Sequence, residues 1–156
     1  MPPGDPQHAP FGPPFERGSF GAAMDAGYVP TDDEREQAFY ANLIAGLVPL
    51  VGVPGFLAPL LLAALRKERT PFFLFHANQS FWFQIVCWGT AVALALISLP
   101  LTLLCIGWLT LILAVVPVIL GIVYPIVLAF AARRGEWSPY PFVGDAVLRT
   151  WRPLFR

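Results

Sequence analysis

Charge is what this sequence has least of. Asp, Glu, Lys and Arg make up 13% of its 156 residues, against about 25% in an ordinary soluble domain. From Phe81 to Ala132 none of the four occurs. A bilayer-spanning helix needs roughly 20 apolar residues, so this run holds two spans and the turn between them. A soluble core helix of that length is excluded. The ten basic and ten acidic side chains cancel to a net charge of zero, which argues against a nucleic-acid partner.

Cysteine and histidine are scarce as well, with two of each. Cys87 and Cys105 lie in apolar segments, form no CxxC pair and have no second ligand beside them. No metal site or cofactor is expected, and both thiols read as small buried hydrophobes. A secretory leader is also missing from the reading: "MPPGDPQHAPFGPPFERGSFGAAMDAGYVP" has neither a basic start nor an early apolar core. Insertion is therefore expected to be directed by the transmembrane segments themselves.

Proline and glycine are plentiful and unevenly placed. Residues 1–30 hold seven prolines and five glycines, too little apolar surface to offset ordering entropy, so a disordered tail is expected there. Phe11, Phe15, Phe20 and Tyr28 punctuate it; a plain flexible tail is favoured over contact points for a partner. Order is expected from "PTDDEREQ", where Thr31 as N-cap and Glu34 three residues on form a capping box.

The membrane domain is placed at residues 31–142. Its first apolar segment, about residues 39–65, is interrupted by Pro49, Gly52, Pro54, Gly55 and Pro59. Each half is then about 20 Å long or less, short of the roughly 30 Å of hydrocarbon. The segment is either one kinked crossing or a helix–break–helix hairpin that dips in and returns. Thr70-Pro71 reads as N-cap and first-turn proline, opening an interfacial helix that runs into a span over about residues 71–99. Phe72, Phe73, Phe75 and Trp82 suit the headgroup level. A tight turn is expected between Pro100 and Gly107, then a last span over about residues 106–132 closed by Arg133, Arg134 and the C-cap Gly135.

Eight of the ten basic residues flank this hairpin: Arg66, Lys67 and Arg69 before it, and Arg133, Arg134, Arg149, Arg152 and Arg156 after it. The 66–80 loop and the C-terminus are therefore assigned to the cytoplasm. Residues 143–156 place Val147, Leu148, Trp151, Leu154 and Phe155 among arginines, as an interfacial anchor would.

Within "TPFFLFHANQSFWFQIVCW" the polar residues are patterned. At about 100° per residue, His76, Gln79, Ser80, Gln84 and Cys87 share one arc with Phe83, whereas Asn78 lies on the far side. Hydrogen bonding between helices is the favoured use of this stripe, above all to carbonyls freed by the Pro49–Pro59 break. A polar conduit comes second and catalysis last, because His76 has no acidic partner and no second histidine near it. In the last span Pro117, Gly121 and Pro125 recur every four residues on one kink-prone face, whose freed carbonyls also need donors. Gly89 with Ala93, and Ala91 with Ala95, form small-xxx-small pairs that permit close helix approach.

Two stretches carry a resemblance. "LVPLVGVPGFLAPLLLAALRKERTPFFLFHANQSFWFQI" and the ending "ARRGEWSPYPF" are similar to the hallmark elements of the MamF/MmsF-like magnetosome membrane proteins. That family is in turn related to the twenty-kilodalton subunit of the chloroplast inner-envelope import translocon. The similarity covers about residues 32–142. It implies a small bacterial-type inner-membrane protein with three or four helical segments, and it supplies no catalytic residue. Members tied to iron mineral present an acidic loop, whereas the loop here reads "RKERTPF".

The expectation is an all-α, polytopic helical membrane protein with three to four hydrophobic segments, the first of them broken. It is expected to be a non-enzymatic subunit or scaffold, homo-oligomeric or bound to another membrane protein within the lipid bilayer. A component of a polypeptide or solute conduit is the alternative.

Overall fold

The computed structural model describes residues 20–25, 27–65 and 70–149. Among these residues six α-helices follow in order: α1 (Phe20–Asp25), α2 (Asp32–Leu47), α3 (Leu57–Leu65), α4 (Pro71–Thr102), α5 (Gly107–Arg133) and α6 (Gly144–Arg149), with a 3-10 turn at Val48–Val51 between α2 and α3. Among the described residues there is no strand, and the fold is all-α.

Helix α2 begins on a complete capping box. Thr31 Oγ1 accepts from the Glu34 N–H at 3.3 Å, and Glu34 Oε2 accepts from the Thr31 N–H at 2.7 Å. Asp32, Asp33 and Glu34 in its first turn complement the helix dipole. The helix stops because Pro49 has no N–H for the carbonyl of Ala45. The chain tightens into the 3-10 turn and reverses at Gly52, whose φ of 78° is left-handed. Phe56 then stacks edge-on against Phe81 of α4, 6.2 Å between centroids, and α3 follows.

This geometry decides between the two readings of the broken segment. Gly55 packs against Ala45 of α2 and Gln84 of α4. Gln84 lies 13 residues beyond Pro71, about 20 Å along α4, whereas the whole of α4 extends about 48 Å at 1.5 Å per residue. Past this level the chain reverses, and Ala63 of α3 comes back to Ala41 of α2 and Phe73 of α4, so the α2–α3 unit turns back before reaching the far end of α4. At the entry end Ala38 of α2, Phe72 of α4 and Ala132 of α5 form one cluster. The N-terminal end of α2, the start of α4 and the end of α5 thus share one end of the molecule.

Two helices, α4 and α5, are long and apolar enough to cross a membrane. Beyond Gln84 their outer surfaces are bare hydrocarbon: Leu99 is 66% exposed and Trp108 63% exposed, alongside Val92, Leu96, Ile112, Val115 and Val116. Water would not tolerate an apolar surface this continuous, and a bilayer would. The helices turn through Leu103–Ile106, where Cys105 takes a φ of 59°. Helix α5 ends in a Schellman motif, with the Gly135 N–H bonded to the Ala132 carbonyl at 2.9 Å and the Glu136 N–H to that of Ala131 at 3.1 Å; Gly135 supplies the required φ of 80°.

Four expectations need correction. Cys105, read with Cys87 as a small buried hydrophobe, is exposed, because the whole Leu103–Ile106 turn that carries it is uncovered. Phe72, Phe73 and Phe75 do not face headgroups; they are buried, because α1, α6 and the segment after α5 wrap the start of α4. Phe20 packs on Phe75 at 5.9 Å between ring centroids. Order therefore begins before residue 31: Phe20–Asp25 is helical, and the Tyr28 hydroxyl donates to the Glu34 carboxylate. Similarly, Val147 on α6 is buried against that cluster instead of facing lipid. The expected interfacial residues Trp151, Arg152, Leu154, Phe155 and Arg156 lie outside the described residues, as do Arg66, Lys67 and Arg69 of the basic loop and most of the tail, including His8, Phe11 and Phe15.

Candidate functional site

The polar stripe of α4 runs into the centre of the fold. His76, Gln79, Ser80 and Gln84 are all fully buried. An amide or imidazole carried there without a partner would be costly, so the destination of each hydrogen bond is the informative feature.

Gln84 joins three elements. Its Nε2 donates to the Ala45 carbonyl of α2 at 2.9 Å and to the Gly121 carbonyl of α5 at 2.6 Å. Both carbonyls stand four residues before a proline, Pro49 and Pro125, so neither can receive its normal helical N–H. One carboxamide thus caps the two acceptors that two prolines release. Close approach at this level depends on glycine. A Cβ at Gly55 would lie 2.6 Å from the Gln84 carboxamide carbon, and one at Gly121 would lie 3.3 Å from both Gln84 Oε1 and Cys87 Cβ. Gln84 Oε1 has no hydrogen-bond partner.

One to two turns nearer the charged end, His76 and Gln79 bind the segment that follows α5. His76 Nε2 lies 3.2 Å from the Glu136 carbonyl. A carbonyl can only accept, so Nε2 carries the proton and Nδ1 is the acceptor. Asn42 Nδ2 at 3.3 Å and Gln79 Nε2 at 3.4 Å both point at that nitrogen, and the neutral ring is the form this arrangement accommodates. Gln79 also donates to the Ser138 carbonyl at 3.0 Å and accepts from the Tyr140 N–H at 3.0 Å. The Tyr140 hydroxyl donates to Asn42 Oδ1 at 2.8 Å, closing a loop from α2 through α4 to the C-terminal segment. Burial pushes the Tyr140 phenol well above its usual range, so it remains a donor. The buried Ser80 hydroxyl makes no hydrogen bond of normal geometry.

The aromatic surroundings hold this network in place. Trp137 stands edge-on to Phe72 at 5.1 Å and to Tyr28 at 6.1 Å, and Tyr140 tilts against Phe83 at 4.8 Å. Outside the network, Arg134 binds Glu136 through two of its guanidinium nitrogens, Nε at 2.6 Å and Nη2 at 3.1 Å. This bond holds the Glu136 carboxyl below the usual carboxylate range and steadies the segment whose carbonyl His76 uses.

Of the residues singled out in the sequence, the structure brings His76, Gln79 and Ser80 together around Tyr140, and it joins Gln84 to the faces of Pro49 and Pro125. Gly121 and Pro125 are buried on that face, whereas Pro117 is only partly covered. Pro59 is buried in α3 and Pro54 half-buried in the turn. Asn42 and Tyr140 are members that sequence reasoning did not single out. The available signals were a lone amide within the apolar part of α2 and the Tyr140-Pro141 pair. Asn78, placed off the stripe, is nevertheless buried, and its Oδ1 makes no hydrogen bond. Among the described residues no group of three His, Cys, Asp or Glu side chains converges on a point where a metal ion would sit.

Among known proteins, the model of a family described as the magnetosome magnetite crystal formation protein family matches residues 33–147. No curated protein and no solved structure matches the chain.

Proposed function

The chain belongs to the magnetosome magnetite crystal formation protein family, and from that premise we propose that it serves as a non-enzymatic subunit or scaffold of a membrane assembly. The observation that carries this reading is where the buried polar groups go. Gln84, Gln79, His76 and Asn42 direct their hydrogen bonds to backbone carbonyls and to one another. Such a network rigidifies a small helical unit. A general base needs an open approach to its substrate; His76 has both ring nitrogens engaged and no exposed surface. A conduit, the competing reading, needs Gln84 on an open path, and its carboxamide is enclosed by Ala45, Gly55 and Gly121.

What such a subunit offers a partner lies on the outside of the spans. Gly89 has open space where a Cβ would stand, and Ala93, four residues on, is exposed on the same helix. Small residues on a lipid-facing surface let another helix approach closely. We place the charged end in the cytoplasm of a bacterial-type inner membrane, on the count of Lys and Arg flanking the α4–α5 hairpin.

In-membrane crosslinking from Gly89→Cys tests the proposal. A discrete crosslinked dimer or heteromer is expected, and it should weaken when Ala93 is replaced by leucine. A monodisperse monomer in several mild detergents, with no crosslinked species from the membrane, would refute the scaffold role.

A further inference from the structure

At the charged end of the molecule a groove of about 280 Å³ lies between α2 and α5, lined by Asp32, Arg35, Glu36, Phe39, Tyr40 and Arg133. The first five recur at three- and four-residue spacing and so form one stripe of α2, and Arg133 comes from the last turn of α5. Small residues and rings shape the seam between the two helices differently along its length. Deeper in the bilayer Gly46 lets the helices close until a Cβ would lie 2.8 Å from the Ile122 carbonyl. At the groove the Phe39 ring of α2 packs edge-on against Phe130 of α5, 5.7 Å between centroids. The Arg133 guanidinium lies over the Phe39 face at 5.3 Å.

Two features give the groove its chemistry. Its charges balance, with Arg35 and two carboxylates on the α2 wall and Arg133 on the α5 wall. Only one ion pair joins them, Arg35 to Asp32 at 3.3 Å, with the Asp32 side chain 98% exposed; among the described residues Arg133 makes none. The groove is also continuous with hydrocarbon. Exposed Phe130, Val127 and Val123 on α5, with Tyr40 and Leu47 on α2, lead from it into the membrane.

We propose that this groove seats the headgroup of a zwitterionic phospholipid. The phosphate sits between Arg35 and Arg133, the ammonium faces Glu36 and Asp32, and the acyl chains follow the α5 wall. Paired guanidinium donors suit a phosphodiester, and the two carboxylates disfavour a headgroup that brings no cation of its own. The assignment rests on the membrane placement alone and stands or falls independently of the scaffold reading.

The test uses the full chain in nanodiscs of equal phosphatidylethanolamine and phosphatidylglycerol, with retained lipid identified by native mass spectrometry after gentle release. The wild type is expected to retain phosphatidylethanolamine in preference. Arg133→Gln should lower that retention about tenfold, the size of one charge-assisted contact. Glu36→Gln, an exposed change that leaves the core untouched, should shift the preference toward phosphatidylglycerol. It provides the reading even if Arg133→Gln fails to fold. Equal retention of the two lipids by the wild type, or a preference unaltered by Glu36→Gln, would overturn the proposal. So would full displacement by free O-phosphoethanolamine, which would assign the groove to a soluble phosphoester.

Discussion

Replacing Gln84 with leucine probes the point on which three elements converge. Leucine keeps most of the volume and removes both donors, leaving the Ala45 and Gly121 carbonyls without partners. No backbone N–H can take over, because Pro49 and Pro125 occupy the positions that would supply it. A buried acceptor left unmade costs about 1–3 kcal/mol, so two give roughly 2–6 kcal/mol. Side-chain bonds measured in membrane proteins average nearer 0.6 kcal/mol, which sets a floor of about 1 kcal/mol. The stronger form of the experiment is a double-mutant cycle with Pro125→Ala, which returns an N–H to the Gly121 carbonyl. In that background Gln84→Leu should lose about half of its effect, because only the Ala45 carbonyl is then orphaned. Reversible unfolding in mixed micelles, followed by helical circular dichroism, gives both numbers. A loss below about 0.5 kcal/mol, the size of an ordinary surface change, would refute the capping argument. So would equal losses in the two backgrounds.

Other outcomes follow from the same geometry. Gly55→Ala should destabilise by about 1–3 kcal/mol through overpacking, since its methyl would meet the Gln84 carboxamide. Gly89→Ala, where the space is open, should be neutral or stabilising by up to about 1 kcal/mol; the same unfolding assay ranks the two, and a reversed order refutes the packing described. Tyr140→Phe removes the donor to Asn42 and should cost about 1 kcal/mol. Tyr140→Ala also removes the ring packed on Phe83 and should cost about 3–5 kcal/mol; equal losses would mean that the hydroxyl or the ring contributes nothing. In the folded protein a maleimide should modify exposed Cys105 and spare buried Cys87 until denaturant is added, as mass spectrometry of the labelled peptides can report.

The lipid-spanning pair α4–α5 was legible because its signal is additive: a long run without charge has one stable solvent. The helix ends were legible because capping is local. Thr31, Thr70 and Gly135 each satisfy or release backbone groups within a few residues of themselves, so composition and spacing suffice to find them. The stripe containing His76, Gln79 and Gln84 was also visible, as an angular pattern on one helix. The prolines announced freed carbonyls without indicating which donor would reach them.

Tertiary structure decided the rest, because its partners are remote in the chain. Tyr140 meets Asn42 across 98 residues, and Gln84 meets Ala45 and Gly121 across 39 and 37. No periodicity encodes such distances; they follow from how α2 and α5 dock on α4, where Gly46, Gly55 and Gly121 allow contact that any side chain would hinder. The same docking buries Phe72, Phe73 and Phe75, which hydropathy alone assigned to the headgroups. An aromatic ring is apolar toward lipid and toward another helix alike, and only the fold determines which of the two it meets.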